Sequence, residues 1–184
     1  MAIKRMVIDG YGQIELNQVA FRRDGRIEAQ CALSTADFTD EAPAENGMLL
    51  AVDKANNVIK KPVDGTLPVA LNYTTEHMYD ERHPGLKNFK LAPSDGFYPR
   101  MGYLSVGDLF TTNCLCYDSS AYTDASALDS ALAACGTTAV YGGQDASGRI
   151  CLKSTVPTVG PKMKVVKYYT MPDGQKAVKL QVIG

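Results

Sequence analysis

Histidine is scarce in this chain: there are two, His77 and His83, and they stand six positions apart. Nucleophilic catalysis needs a Ser, Cys or Thr beside a base and an orienting carboxylate, so one stretch would have to supply every histidine base. No GxSxG elbow, HExxH pair, paired CxxC or phosphate-binding glycine loop is present. Gly142-Gly143 reads as a turn, without the Lys-Ser/Thr of a P-loop. No apolar run approaches the roughly 18 residues of a helical membrane span. Met1 to Val7 lacks the apolar core of a secretory signal. The five cysteines are odd in number and scattered, which argues against a disulfide framework and for reduced, packed thiols made in a cytoplasm. A net charge of −1 gives no global pull toward nucleic acid or anionic lipid.

What the chain does have is β-prone runs joined by polar turns. Its 184 residues suit one domain or two small ones. Lys54-Ala55-Asn56-Asn57, Asp145-Ala146-Ser147-Gly148 and Met171-Pro172-Asp173-Gly174-Gln175 each sit between β-branched or aromatic residues. Pro presets φ, Gly accepts positive φ, and Asn and Asp bond their own backbone, so such clusters reverse a chain. Gly47 to Asp53 is an apolar run expected as a strand buried on both faces. Ile27 to Leu33 alternates as a half-buried strand should, and Val178, Leu180 and Val182 alternate with Lys179 and Gln181. Pro68 fits only a strand start or edge. Arg22 to Arg26 reads as a basic turn. Leu128, Ala131, Leu132 and Cys135 mark one helix, capped by Thr123 or Asp124 and stopped at Gly136.

The expected fold is therefore mainly β: a small β-barrel or sandwich built from hairpins, with one short α-helix and an extended N-terminal arm. Residues 1–35 read as that arm and the first strand, with Met6 to Asn17 as an extended arm or an irregular edge strand. Residues 36–184 read as the β-rich domain, with a long loop at 74–98 and the helix at 123–135. A loop of that length is usually a binding element.

Charge is uneven. Asp37, Asp40, Glu41, Glu45 and Asp53 run without a Lys or Arg between them. From Arg149 onward, Lys153, Lys162, Lys164, Lys167, Lys176 and Lys179 join it against Asp173 alone. Either the two regions neutralise each other within one fold, or they dock on a second copy or an acidic partner.

Three constellations invite chemistry. His77 and His83 among Glu76, Asp80 and Glu81 suggest a metal-dependent hydrolase, although their spacing matches no specific zinc pattern and a solvated loop explains them more simply. Cys114-Leu115-Cys116 would place two thiols on one strand face, as a soft-metal or redox pair or as two small core residues; the core reading is the simpler. Tyr168 and Tyr169 in the basic third suggest base stacking, but alternating lysines more often form a solvated sheet face. No cofactor and no metal are expected.

Gly47-Met48-Leu49-Leu50-Ala51-Val52-Asp53 with Leu67-Pro68-Val69-Ala70-Leu71, and Val106-Gly107-Asp108-Leu109-Phe110-Thr111-Thr112-Asn113, resemble the β-barrel units of phage head decoration proteins. Val165 to Gln175 resembles uncharacterised virion proteins of phages that infect low-GC Gram-positive bacteria. The resemblance implies a capsid-associated decoration (cement) protein, trimeric, on the capsid exterior, made in the host cytoplasm and bound to the major capsid protein. A tail-tube or adaptor protein is the alternative of the same class. Neither membrane nor specific nucleic acid is an expected partner. Ile3, Arg5, Tyr11, Arg22 and Arg23 in the arm, and His77, Tyr79, Arg82, His83 and Phe89 in the loop, are the expected contact residues. They carry the arginines and aromatics that interfaces favour.

Overall fold

The computed structural model describes residues 3–63, 65–74 and 89–184. The fold is mainly β, with sandwich-like sheets in place of a closed barrel. The larger sheet has eight strands. In spatial order they are β1 (Ile3–Arg5), β12 (Leu115–Asp118), β14 (Ile150–Lys153), β13 (Tyr141–Gln144), β15 (Met163–Thr170), β16 (Lys176–Val182), β11 (Leu109–Thr112) and β2 (Ile14–Gln18). The smaller sheet orders β3 (Ile27–Glu28), β10 (Met101–Gly102), β8 (Val69–Asn72), β6 (Leu49–Asp53), β7 (Val58–Lys60) and β4 (Ala32–Leu33). A third pair joins β5 (Ala44–Glu45) to β9 (Lys90–Leu91). The β12·β14 and β4·β7 pairs are parallel; the other ladders are antiparallel.

All three turn signals make hairpins: β6–β7, β13–β14 and β15–β16. The apolar run in β6 is buried throughout because two cores claim its alternate faces. Leu49 joins a core with Leu71, Phe110, Val165, Val178 and Leu180, whereas Leu50 and Val52 join another with Phe38, Ile59 and Met101. Pro68 stands just before β8, where its carbonyl accepts from Val52 N at 2.9 Å and no ladder donor is lost.

Of the stretch Met6 to Asn17, expected as an arm or an irregular edge strand, the end enters β2 at a sheet margin. β1 forms one margin of the larger sheet and β2 the other, while β3 and β4, also within residues 1–35, enter the smaller sheet. The basic turn at Arg22 to Arg26 is instead a second helix, α1 (Ala20–Asp24). Its Phe21 is fully buried against Tyr73 at 5.1 Å between ring centroids, and Gly25, at φ 69°, ends it.

The expected helix is α2 (Ala125–Ala133). Asp124 caps it by accepting from Ala127 N at 2.8 Å. Leu128 and Leu132 bury their side chains in the first core, each contributing roughly 1.5–3 kcal/mol. It ends at Ala134 with φ −91°, so Gly136 is not the left-handed cap the sequence suggested.

Gly142 and Gly143 form no turn; they lie inside β13. A Cβ on Gly142 would sit 2.9 Å from the Ile150 side chain, and one on Gly143 2.5 Å from Pro157. Close packing on both faces of the sheet, not chain reversal, requires glycine there. The alternation of Ile27 to Leu33 breaks: Ile27 is exposed and Glu28 buried. Glu28 accepts from Gln30 N at 2.6 Å and Cys31 N at 3.1 Å and is paired with Lys54, which offsets burying the charge. In the long connection, β9 and a 3-10 turn at Pro93–Asp95 are formed, and residues 75–88 lie outside the described ones.

Candidate functional site

Glu45 centres the most heavily engaged ionic cluster among the described residues. It sits in β5 with 2% of its side chain exposed. Its Oε2 accepts from Arg5 Nη2 at 2.6 Å and from Gly12 N at 2.6 Å, and its Oε1 from Arg149 Nη2 at 2.7 Å. Its own carbonyl accepts from Asn72 Nδ2 at 2.9 Å. Four separated stretches of chain thus meet at one residue.

Local sequence explains the approach. Gly12 can bring its N–H to the carboxylate because it has no side chain: a Cβ would lie 2.5 Å from Cys114 Cβ and 2.7 Å from Asn46 O. Arg149 closes the Asp145–Gly148 turn just before β14, and its guanidinium reaches back to β5. Burial acts to lower the Arg149 pKa, but the adjacent Glu45 carboxylate outweighs it and the net shift is upward. Burial pushes the Cys114 thiol up, and Glu45, whose Oε2 lies 4.0 Å from Cys114 Sγ, pushes it further. A cleft of about 190 Å³ opens beside this cluster, lined by Arg5, Tyr11, Pro43, Glu45, Lys61 and Arg149.

The structure brings two expected contact residues, Arg5 and Tyr11, into that cleft. Lys90 Nζ lies 5.3 Å from the Tyr11 ring centroid, and Phe89 is its chain neighbour. Phe89 is 43% exposed, has φ 53°, and accepts from Asn46 N at 3.4 Å. Ile3 stands exposed on β1. Arg22 and Arg23 belong to the exposed side of α1 and do not line the cleft; Arg23 pairs with Asp24 at 3.0 Å. His77, Tyr79, Arg82 and His83, and with them the metal reading, lie outside the described residues. Among the described residues, no group of three or more His, Cys, Asp or Glu is placed to hold a metal.

All five cysteines are free thiols. Cys116 stands opposite Cys151 in the β12·β14 ladder, with its Sγ 3.8 Å from Asp145 Oδ2. The Cys116–Cys151 hydrogen bond and burial raise the Cys116 pKa, so this thiol stays protonated at neutral pH. Glu45 was not among the expected residues, nor was Arg149. The signal available was a carboxylate bordering the most apolar strand, and an arginine opening the basic third of the chain. The Glu45 carboxylate accepts from two guanidiniums and a backbone N–H, so it joins three remote segments of chain to β5. Its chemistry is that of a cross-link.

Taken with the fold, this defines the class: a mainly β protein whose N-terminal segment is locked to the body by an ionic clamp. Compared with known proteins, the chain matches no family model, and neither a curated protein nor a solved structure shows significant similarity to it.

Proposed function

We propose that this chain is a non-enzymatic virion structural protein that decorates and stabilises an assembled phage head. Its partner in this reading is the major capsid protein, and its working form a homo-trimer on the capsid exterior. The observation that supports it is the Glu45 clamp. A buried carboxylate ties β1 and the Gly12 loop to the β13–β14 hairpin, so the cluster stiffens the molecule and holds Tyr11 and Arg5 on a fixed surface. A stiff binder loses less entropy on docking. A ligand that binds the assembled shell and not its parts stabilises it by mass action, and one that bridges several capsid subunits gains avidity.

The test is co-sedimentation with purified particles, alongside mass photometry of the free protein. Truncation of residues 1–12 is a poor probe, because it removes β1 and two donors of Glu45 together. Substitution of half-buried Tyr11 and exposed Phe89 by Ser leaves the ladder intact and is expected to weaken co-sedimentation. A monomer that stays in the supernatant refutes the reading. A tagged copy seen on tails by electron microscopy assigns the tail-tube or adaptor role instead.

A further inference from the structure

Arg149 reaches the acidic stretch through Glu45, so the two charge-biased regions do meet within the fold. The remaining lysines of the basic third do not follow it. Met163, Val165, Val178, Leu180 and Val182 face the core. The opposite face of the same strands therefore carries Lys164, Lys167 and Tyr169 of β15 and Lys179 of β16. In register, Tyr141 pairs with Lys164, and Lys164 with Gln181. A bulge between Val165 and Lys167 sets Lys167 directly opposite Lys179.

Like charges at directly opposed positions repel. Among the described residues, Lys164, Lys167 and Lys179 make no ion pair. The carboxylate of Glu15 on this face accepts from the Tyr169 hydroxyl at 3.0 Å. We infer that this face of β13, β15 and β16 docks an acidic protein surface, whose carboxylates would relieve the Lys167–Lys179 opposition.

The aromatics favour a protein over a nucleic acid. Lys167 Nζ and Lys179 Nζ lie 5.5 and 5.9 Å from the Tyr169 ring centroid. The Tyr169 hydroxyl shares its proton between Glu15 and Thr111 Oγ1, the latter at 2.8 Å. Tyr168 packs its ring on the first core and donates to Asp129 at 2.6 Å. Both rings are engaged, so neither offers the open π-face that base stacking uses. The net charge of −1 also lacks the long-range attraction that phosphate binding draws on.

The experiment is fluorescence anisotropy of a labelled oligoglutamate peptide against the full chain, with oligothymidylate of equal length as the comparison. Oligoglutamate is expected to bind at low salt and to weaken as salt is added. Lys167→Glu with Lys179→Glu is expected to weaken it about tenfold or more, and the Gln pair to fall between. Circular dichroism confirms that each variant is folded. No oligoglutamate binding, binding unchanged by charge reversal, or tighter binding of oligothymidylate each overturns the inference. None of these outcomes touches the capsid reading, which particle co-sedimentation decides separately.

Discussion

Replacing Glu45 by Ala should be among the most damaging single changes in the molecule. The carboxylate is 2% exposed, and the Arg149 side chain that faces it is 21% exposed. Removing one partner of a buried ion pair leaves the other charge uncompensated, at a cost of about 3–5 kcal/mol. The Arg5 bridge adds little, since that side chain is 35% exposed and its pairing is screened; exposed pairs contribute about 0–1 kcal/mol. Against a typical total stability of about 5–15 kcal/mol, the Glu45→Ala loss is a large fraction. For a chain of this size it lowers the thermal midpoint by roughly 6–20 °C. Urea unfolding followed by circular dichroism reads it as a lower midpoint with an unchanged slope. Arg5→Gln should cost about 1 kcal/mol or less. Replacing Glu45 and Arg149 together by Leu and Met should recover part of the loss, because it removes the uncompensated Arg149 charge but leaves the buried Gly12 N–H without its acceptor. Equal, sub-kilocalorie effects of Glu45→Ala and Arg5→Gln would refute the claim that burial makes this cluster a clamp.

Three further outcomes are expected. Lys60 and Asn56 hold the Asp53 carboxyl down, to about 2, below its unfolded value near 3.8. A depressed folded pKa gives stability that is complete above the unfolded value and lost as pH falls from about 4 to about 2. Asp53→Asn should flatten the stability–pH profile in that window, and an unchanged profile would contradict it. Lys167→Glu places an opposite charge across from Lys179 and should stabilise the fold by about 0.2–1 kcal/mol in urea titration, the reverse of most substitutions. Gly12→Ala forces a Cβ to within 2.5 Å of Cys114 and should cost about 1–3 kcal/mol by the same measurement.

Local patterns foretold local structure. Asp145 to Gly148 and Met171 to Gln175 announced their hairpins because turn chemistry resides in the turn residues themselves. Asp124 announced α2 for the same reason. Failures came where distant residues decide. Gly142-Gly143 looks like a turn until Pro157 and Ile150 are seen to press on its two faces. Ile27 and Glu28 exchange their expected faces because the Lys54 ammonium and two backbone N–H groups gather at Glu28. Glu45 read as one acid in an acidic stretch, since its partners Arg5, Gly12 and Arg149 are remote in sequence. The expectation of a head decoration protein rests on strand-and-turn segments, which carry fold information and little about contact surfaces.

The placement of β1 and β2 at opposite margins of the larger sheet has a bearing on how the molecule is made. Lys4 pairs with Tyr117 and Ile14 with Thr112, so both segments wait for residues about a hundred positions downstream. On a ribosome adding roughly 5–20 residues per second, that wait is about 5–20 s. The β2–β11 ribbon then joins the other strands of its sheet through β16 alone, which pairs with β11 on one side and β15 on the other. Until residues 176–182 emerge, the nascent sheet exists as two unjoined halves with bare edges, the state in which such a chain is most exposed to wrong pairing.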